Sequence, residues 1–176
     1  MGEQQQPEKN KAERILAQIR DRKRDEALAE AEAEMVRLVI FTLGKDYYGF
    51  YGNHIREILT FSDIACVPGC PEYIMGIINV RGDIESVLSP NRLMGLPEAE
   101  ITPESRILLA VAGDLRSGIL VDTVKDVTEV SARILKQPIS TLNPAVREFA
   151  VAGETLYDGN YVTVLDISKI FQKMVS

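Results

Sequence analysis

From Met35 onward the apolar residues fall into short runs broken by glycine, and the runs read as strands. Val36 to Leu43 is apolar at almost every position, the pattern of a strand covered on both faces. Gly44-Lys45-Asp46 reads as a hairpin turn and Tyr47–Tyr51 as the returning strand. Asn53 is placed to cap a short helical turn, and Ile55–Phe61 reads as a third strand. Val67-Pro68-Gly69 is a rigid turn, followed by a short segment, Pro71–Met75. Gly76–Val80 and Ile84–Leu88 then read as two strands around a tight turn, Arg81-Gly82-Asp83. Ile77, Ile78, Val80, Ile84, Val87 and Leu88 are expected in a core, with Arg81 presented at the turn.

The texture differs at the start of the chain. Residues 1–10 are polar, with glutamine repeats, and are expected to be disordered. Lys11–Glu34 has no glycine or proline and is rich in Ala, Glu, Arg and Leu, so it reads as one helix with Ala12, Ile15, Leu16 and Ile19 on a stripe. A solvated extension is favoured over a docking or coiled-coil helix, because the stripe fades past Leu28. The boundary falls at Glu34/Met35, which gives an extension, 1–34, and a domain, 35–176.

The domain repeats itself. At a constant offset of 69, the segment from Arg37 lies over the segment from Arg106: Gly44 on Gly113, Gly49 on Gly118, Ile55 on Val124, Glu57 on Asp126 and Ile58 on Val127. Val87-Leu88-Ser89 is echoed by Val164-Leu165-Asp166 at a different offset. Two units of about five short strands, each too small for a large core, are expected to share one, and strands this short tend to close into small barrels. The connection between them is placed at Pro90–Ser105, rich in proline and glutamate. Ser131–Leu135 reads as a helical turn and Pro138–Pro144 as loop. Glu148–Val151 and Asn160–Leu165 read as strands paired around Tyr157-Asp158-Gly159-Asn160. Ile167–Met174 reads as a short helix, with Asp166 or Ser168 as its cap and Ile167, Ile170 and Phe171 inward.

These elements define a mainly β fold class: two small five-stranded β-barrels around a shared hydrophobic core, an N-terminal helical extension and a short C-terminal helix. Composition is that of an ordinary globular chain, 45% apolar and 26% charged over 176 residues. The net charge of −6 argues against a general nucleic-acid binder or an anionic membrane surface as the main partner. With no apolar signal core and no apolar run of spanning length, the expected location is cytoplasmic.

Catalysis fits poorly. There is no G-x-S-x-G elbow, phosphate-cradling loop or H-E-x-x-H pair. His54 stands without a nucleophile or ligand partner, and Cys66 and Cys70 read as free thiols. No catalytic residue, cofactor site or metal site is assigned. What remains is surface: Arg81 reads as a solvated turn residue or an interface anchor, and Glu57 poses the same choice.

VPGCPEYIMGIINVRGDI resembles the signature segment of the CheW family, the coupling adaptors of bacterial chemotaxis. LVIFTLGKDYYGF, IREIL, GILVDTVKDV and YVTVLDISKI match further pieces of the family in order, from about Val36 to the C-terminus. The resemblance implies two packed barrels and a non-enzymatic role bridging chemoreceptor cytoplasmic tips to the regulatory domain of a CheA-type histidine kinase. It implies receptor contact at Asn79, Val80, Arg81 and Gly82, with Glu57 in a partner-binding segment. It places kinase contact at Ile84, Val87, Leu88 and Tyr51. It implies no nucleic-acid partner and no membrane insertion, the only link to a membrane being through receptor arrays. The chain departs from the family after the turn: Ser86 replaces a proline, Ser89 replaces an aspartate, and Pro90 interrupts the strand end beyond them. The alternative is a divergent CheW-like scaffold or regulator of another pathway, acting partly through the N-terminal helix.

Overall fold

The structure, a computed structural model, describes residues 6–32, 34–136 and 143–176. The chain divides into two units, Met1–Glu34 and Met35–Ser176. The first holds helix α1 (Gln6–Ala31), on which Ile15, Leu16, Ile19 and Leu28 are exposed. It starts five residues earlier than the composition suggests, since Pro7 sits in the first turn, where its missing N–H is not needed.

Among its described residues the second unit has ten strands: β1 (Met35–Leu43), β2 (Asp46–Tyr51), β3 (Ile55–Thr60), β4 (Ile74–Val80), β5 (Asp83–Leu88), β6 (Arg106–Ala112), β7 (Leu115–Val121), β8 (Thr123–Ser131), β9 (Ala150–Tyr157) and β10 (Asn160–Leu165). Three α-helices accompany them among the described residues: α2 (Pro90–Leu93), α3 (Pro144–Arg147) and α4 (Ile167–Met174). The helical turn expected at Ser131–Leu135 is a 3-10 turn at Ile134–Lys136, because β8 continues through Ser131. Of the loop expected at Pro138–Pro144, residues 138–142 lie outside the described residues, and Pro144 opens α3 with Asn143 as its cap.

One five-stranded sheet runs β8-β1-β2-β10-β9 and the other β3-β6-β7-β5-β4. Neither is built from one half of the chain, so the connection at 90–105 does not divide the barrels. The repeat maps β1, β2 and β3 onto β6, β7 and β8 at the offset of 69, and β4 and β5 onto β9 and β10 at an offset of 77. Each sheet therefore takes two strands from one repeat and three from the other. The exchange is made at two parallel pairings, Val87 opposite Gly118 and Val164 opposite Gly49, which the repeat makes equivalent.

Both sheets close on themselves at equivalent places. Ala65 exchanges two backbone hydrogen bonds of 2.9 Å with Ile77 of β4 and joins the β3 and β4 edges. The 3-10 turn after β8 packs its Leu135 backbone against Gly153 of β9. A methyl group at Gly76 would overlap the Ala65 carbonyl, and one at Gly153 would overlap the Leu135 carbonyl. Gly76 and Gly153 stand 77 apart, so the same device serves each barrel.

Three apolar clusters result. Leu38, Ile40, Val162 and Val164 fill the first barrel, and Ile78, Val87, Ile107 and Leu120 fill the second. Between them lies the shared core, with Val39, Phe41 and Leu43 of β1, Leu88 of β5, Leu108 and Ala110 of β6, Ile119 and Val121 of β7, and Ile170 and Phe171 of α4. Alternate residues of β1 thus point into two different cores, which is why its apolar run is unbroken. Asp166 caps α4 by accepting from the Ser168 and Lys169 amides at 2.8 and 3.4 Å.

Candidate partner-binding surface

The β4–β5 hairpin turns through two residues of positive φ, Arg81 at 53° and Gly82 at 92°, the conformation of a type I′ turn. Asn79 fixes it by accepting a 2.8 Å hydrogen bond from the Gly82 amide. Arg81 is no isolated cation. Its two terminal nitrogens donate to the two carboxylate oxygens of Glu57 at 2.9 and 2.6 Å, a fork-to-fork pair. The Arg81 side chain is 77% exposed and that of Glu57 only 28%, so the carboxylate is anchored on β3 and the guanidinium rides above it. Asn79, Arg81, Gly82 and Glu57 form one charged ridge, with Val80 half-buried against the second barrel's core.

Ile84 faces solvent, 61% exposed and directly opposite Asn79, rather than the core that its apolar character suggests. The reason is its neighbour. Glu85 takes the inward position on β5, buried and ion-paired with Arg116 of β7. Ile77 is half-buried, while Ile78, Val87 and Leu88 are core residues as expected.

The kinase-contact set does not form one surface. Val87 and Leu88 have no exposed side chain, and β5 is an internal strand. Neither offers a partner a side chain or a free edge. Tyr51 packs against the interior cluster of the first barrel, and its phenol is pushed up first by burial and then by the charge of Asp166. Ile84 alone is exposed, and it belongs with the Arg81 ridge.

The departures after the turn have a local account. Ser89 caps α2, its hydroxyl accepting from the Arg92 amide at 3.3 Å, and Pro90 is the first helical residue, where no N–H is required. Ser86 lies 2.9 Å from Ser117, hydroxyl to hydroxyl, across the parallel β5–β7 junction. His54 is half-buried with Nδ1 3.0 Å from the Val111 carbonyl oxygen. Cys66 and Cys70 are free, and the Cys70 thiol donates to the Val67 carbonyl at 3.0 Å. Among the described residues no cluster of His, Cys, Asp and Glu is arranged to hold a metal ion. No described helix is long and apolar enough to cross a membrane.

A second ridge lies outside the residues that the sequence singles out. The β9–β10 hairpin turns through Asp158 and Gly159 at φ 47° and 77°, the same turn at the equivalent place on the first barrel. Leu156 and Tyr161 flank it, paired across the strands and 62% and 70% exposed. Val127 of β8 is exposed nearby. The Tyr157 phenol is pushed up by desolvation, by a hydrogen bond to Asp126 and by the charges of Asp126 and Asp158. The signal is present in the echo of Val87-Leu88-Ser89 by Val164-Leu165-Asp166: carried back along the chain, it lays Asp158 on Arg81.

Two barrels built from one repeated unit, with their strands exchanged, define a β scaffold that offers charged hairpins. The chain belongs to the CheW family: the model of the CheW-like domain matches residues 37–175. Its relatives include the chemotaxis protein CheW of Treponema pallidum, 28% identical over 142 residues that cover 78% of this chain and 83% of that one. Protein FrzA of Myxococcus xanthus is 28% identical over 151 residues, 84% of this chain and 92% of that one. The crystal structure of the scaffolding protein TtCheW from Thermoanaerobacter tengcongensis shares the fold, with a TM-score of 0.69 at 24% identity, over 76% of this chain and 86% of that one. As a member of this family the chain is a non-enzymatic protein of the chemotaxis-adaptor class.

Proposed function

We propose that the chain couples the cytoplasmic tip of a chemoreceptor to the regulatory domain of a CheA-type histidine kinase, and that it works in the cytoplasm at receptor arrays. The observation that carries this reading is the Glu57–Arg81 ridge: a guanidinium fixed by a carboxylate from another strand, on an I′ turn pinned by Asn79, next to exposed Ile84. An oriented arginine beside an aliphatic side chain is the composition of an interface anchor. The receptor side is assigned to Asn79, Val80, Arg81, Gly82 and Glu57. Coupling needs no chemistry beyond binding: an adaptor links two equilibria to the extent that its affinity differs between the partners' signalling states.

The test is a calorimetric titration of the full chain with the regulatory domain of a CheA-type kinase from the same organism, followed by one with a receptor tip fragment. Micromolar one-to-one binding to both supports the reading, and no binding to any such kinase refutes it. The second reading, a scaffold acting through α1, draws on one observation: that helix forms its own unit and precedes the matched residues 37–175. Deleting residues 1–34 separates the two, since an adaptor keeps its kinase affinity and a helix-driven scaffold loses it.

A further inference from the structure

Helix α1 carries its charges in an order that works against its own stability. Every side chain from Asn10 to Leu28 is exposed, so the helix draws nothing from packing, the usual source of helix stability in water. Its charge is split in two. Residues 9–24 hold seven lysines and arginines against two acids, and residues 25–34 hold five acids and no base. This order opposes the helix dipole, which favours acids at the N-terminus and bases at the C-terminus, and the last turn contains no base. Local pairs do not repair it. Arg20 and Arg24 stand four apart and repel, and Arg22 precedes Glu26, the weaker orientation of a four-residue ion pair. Bulk is split at the same place. Ile15, Leu16 and Ile19 lie in the basic half, and their stripe, continued at three- and four-residue spacing, passes Lys23, Glu26 and Ala27.

We infer that α1 pairs antiparallel with the α1 of a second copy. Reversing one helix lays a basic half on an acidic half twice over and sets the two dipoles in opposition. A parallel pair would set base on base and acid on acid. The helices cross near the charge boundary at Arg24/Asp25, where Arg20 and Lys23 of one copy reach Asp25 and Glu26 of the other. Ile19 then packs over Ala27 and the aliphatic stem of Glu26, a large side chain against small ones. The apolar stripe alone is too short for a coiled coil, and it is the charge order that selects a second copy: an anionic lipid surface would attract residues 9–24 and repel residues 25–34. The contact is isologous, so it closes at two copies. Such a pair presents each surface of the domain twice and gains avidity for a clustered partner; that corollary rests on the functional reading, and the pairing does not.

The test is sedimentation velocity of the full chain from micromolar to millimolar concentration, with two variants. One makes both halves of the helix net acidic (Lys11→Glu, Arg20→Glu, Arg22→Glu and Lys23→Glu), and the other makes both net basic (Asp25→Lys, Glu26→Lys and Glu32→Lys). Each moves charge in the direction that the dipole favours, so a loss of association is not a loss of helix, and circular dichroism checks this. The expected result is a parent that dimerises and is weakened by salt, with either variant alone weaker by about tenfold or more and the two variants mixed forming one-to-one pairs. A monomeric parent overturns the inference, and one that instead co-sediments with anionic vesicles assigns the helix to a lipid surface. Variants that associate like the parent overturn it too, as does a mixture that stays unpaired. Kinase affinity is read on the same variants: the functional reading leaves it unchanged, so a failure of that reading is not mistaken for a failure of this one.

Discussion

Glu57 and Arg81 carry opposite charges, and removing each in turn separates two ways in which Arg81 can act on a partner. The perturbations are Glu57→Ala, Arg81→Ala and the pair. The ion pair is bidentate and charge-assisted, but the arginine is largely in water, so its coupling is set at about 1 kcal/mol and not at the several expected of a buried pair. With a urea dependence of roughly 2 kcal/mol per molar for a domain of this size, either single change lowers the unfolding midpoint by about 0.5 M, and the double change by less than the sum. Binding to the receptor tip is the sharper readout. If Arg81 acted only through its net charge, removing the nearby carboxylate would strengthen attraction to an acidic partner. If Glu57 orients the guanidinium, its removal weakens binding despite the gain in positive charge, since a free arginine must be ordered on docking at a cost of about 1 kcal/mol, or fivefold in affinity. The geometry favours orientation, because both carboxylate oxygens are engaged and the carboxylate is the more buried partner. Tighter binding by Glu57→Ala at low and high salt alike would falsify the positioning role.

Gly76→Ala and Gly153→Ala each drive a methyl into a carbonyl at a barrel seam and are expected to cost about 3 kcal/mol or more, while Gly113→Ala meets open space and costs about 1 kcal/mol for its positive φ alone. Thermal unfolding ranks the three, and equal losses would show that the seams are not closed by contact. Burial, helped by Asp46, pushes the Tyr48 phenol up to about 12. The raised value belongs to the folded state, so its contribution, about 3 kcal/mol, is complete below pH 10 and is lost as the pH climbs from 10 towards 12. Tyr48→Phe should flatten the fall of the urea midpoint across that interval, and an unchanged slope would place the alkaline sensitivity elsewhere.

Much of the fold is legible in the sequence because one unit is written twice. The Gly44/Gly113 and Gly49/Gly118 correspondences locate the hairpins, and the unbroken apolar run of β1 announces a strand between two cores. The strand exchange is not legible, because a repeat records which segments are alike and not which of them pair. It is decided by the parallel contacts at Gly118 and Gly49, whose partners lie in the other half. The position of Ile84 escapes the sequence for a different reason. Strand alternation fixes which residues share a face and leaves open which face is inward, and Glu85 takes the inward place only because Arg116, far away in sequence but on the neighbouring strand β7, meets it there. Glu57 and Arg81 each stand out in the sequence as surface residues. Their pairing depends on β3 and β4 lying at opposite ends of one sheet order and meeting where that sheet closes.

The exchange also means that neither half of the domain is a folding unit. Residues 35–100 hold two strands of the first barrel and three of the second, and residues 101–176 hold the complement. The shared core draws on both halves: Phe41, Phe50 and Leu88 come from one, and Leu108, Ile119, Leu165 and Phe171 from the other. Each such side chain is worth about 2 kcal/mol when buried, so a half that leaves its share of the core open loses an amount comparable to the whole of the roughly 5–15 kcal/mol by which domains are stable. The two halves made separately should therefore lack fixed β structure by circular dichroism, and should recover it when mixed in equal amounts. A half that folds by itself would require it to complete a barrel from its own five strands, with β5 returning beside β2 instead of β7. That arrangement would dissolve the reciprocal Gly49 and Gly118 junctions and, with them, the reason why the two ridges are held in one rigid module.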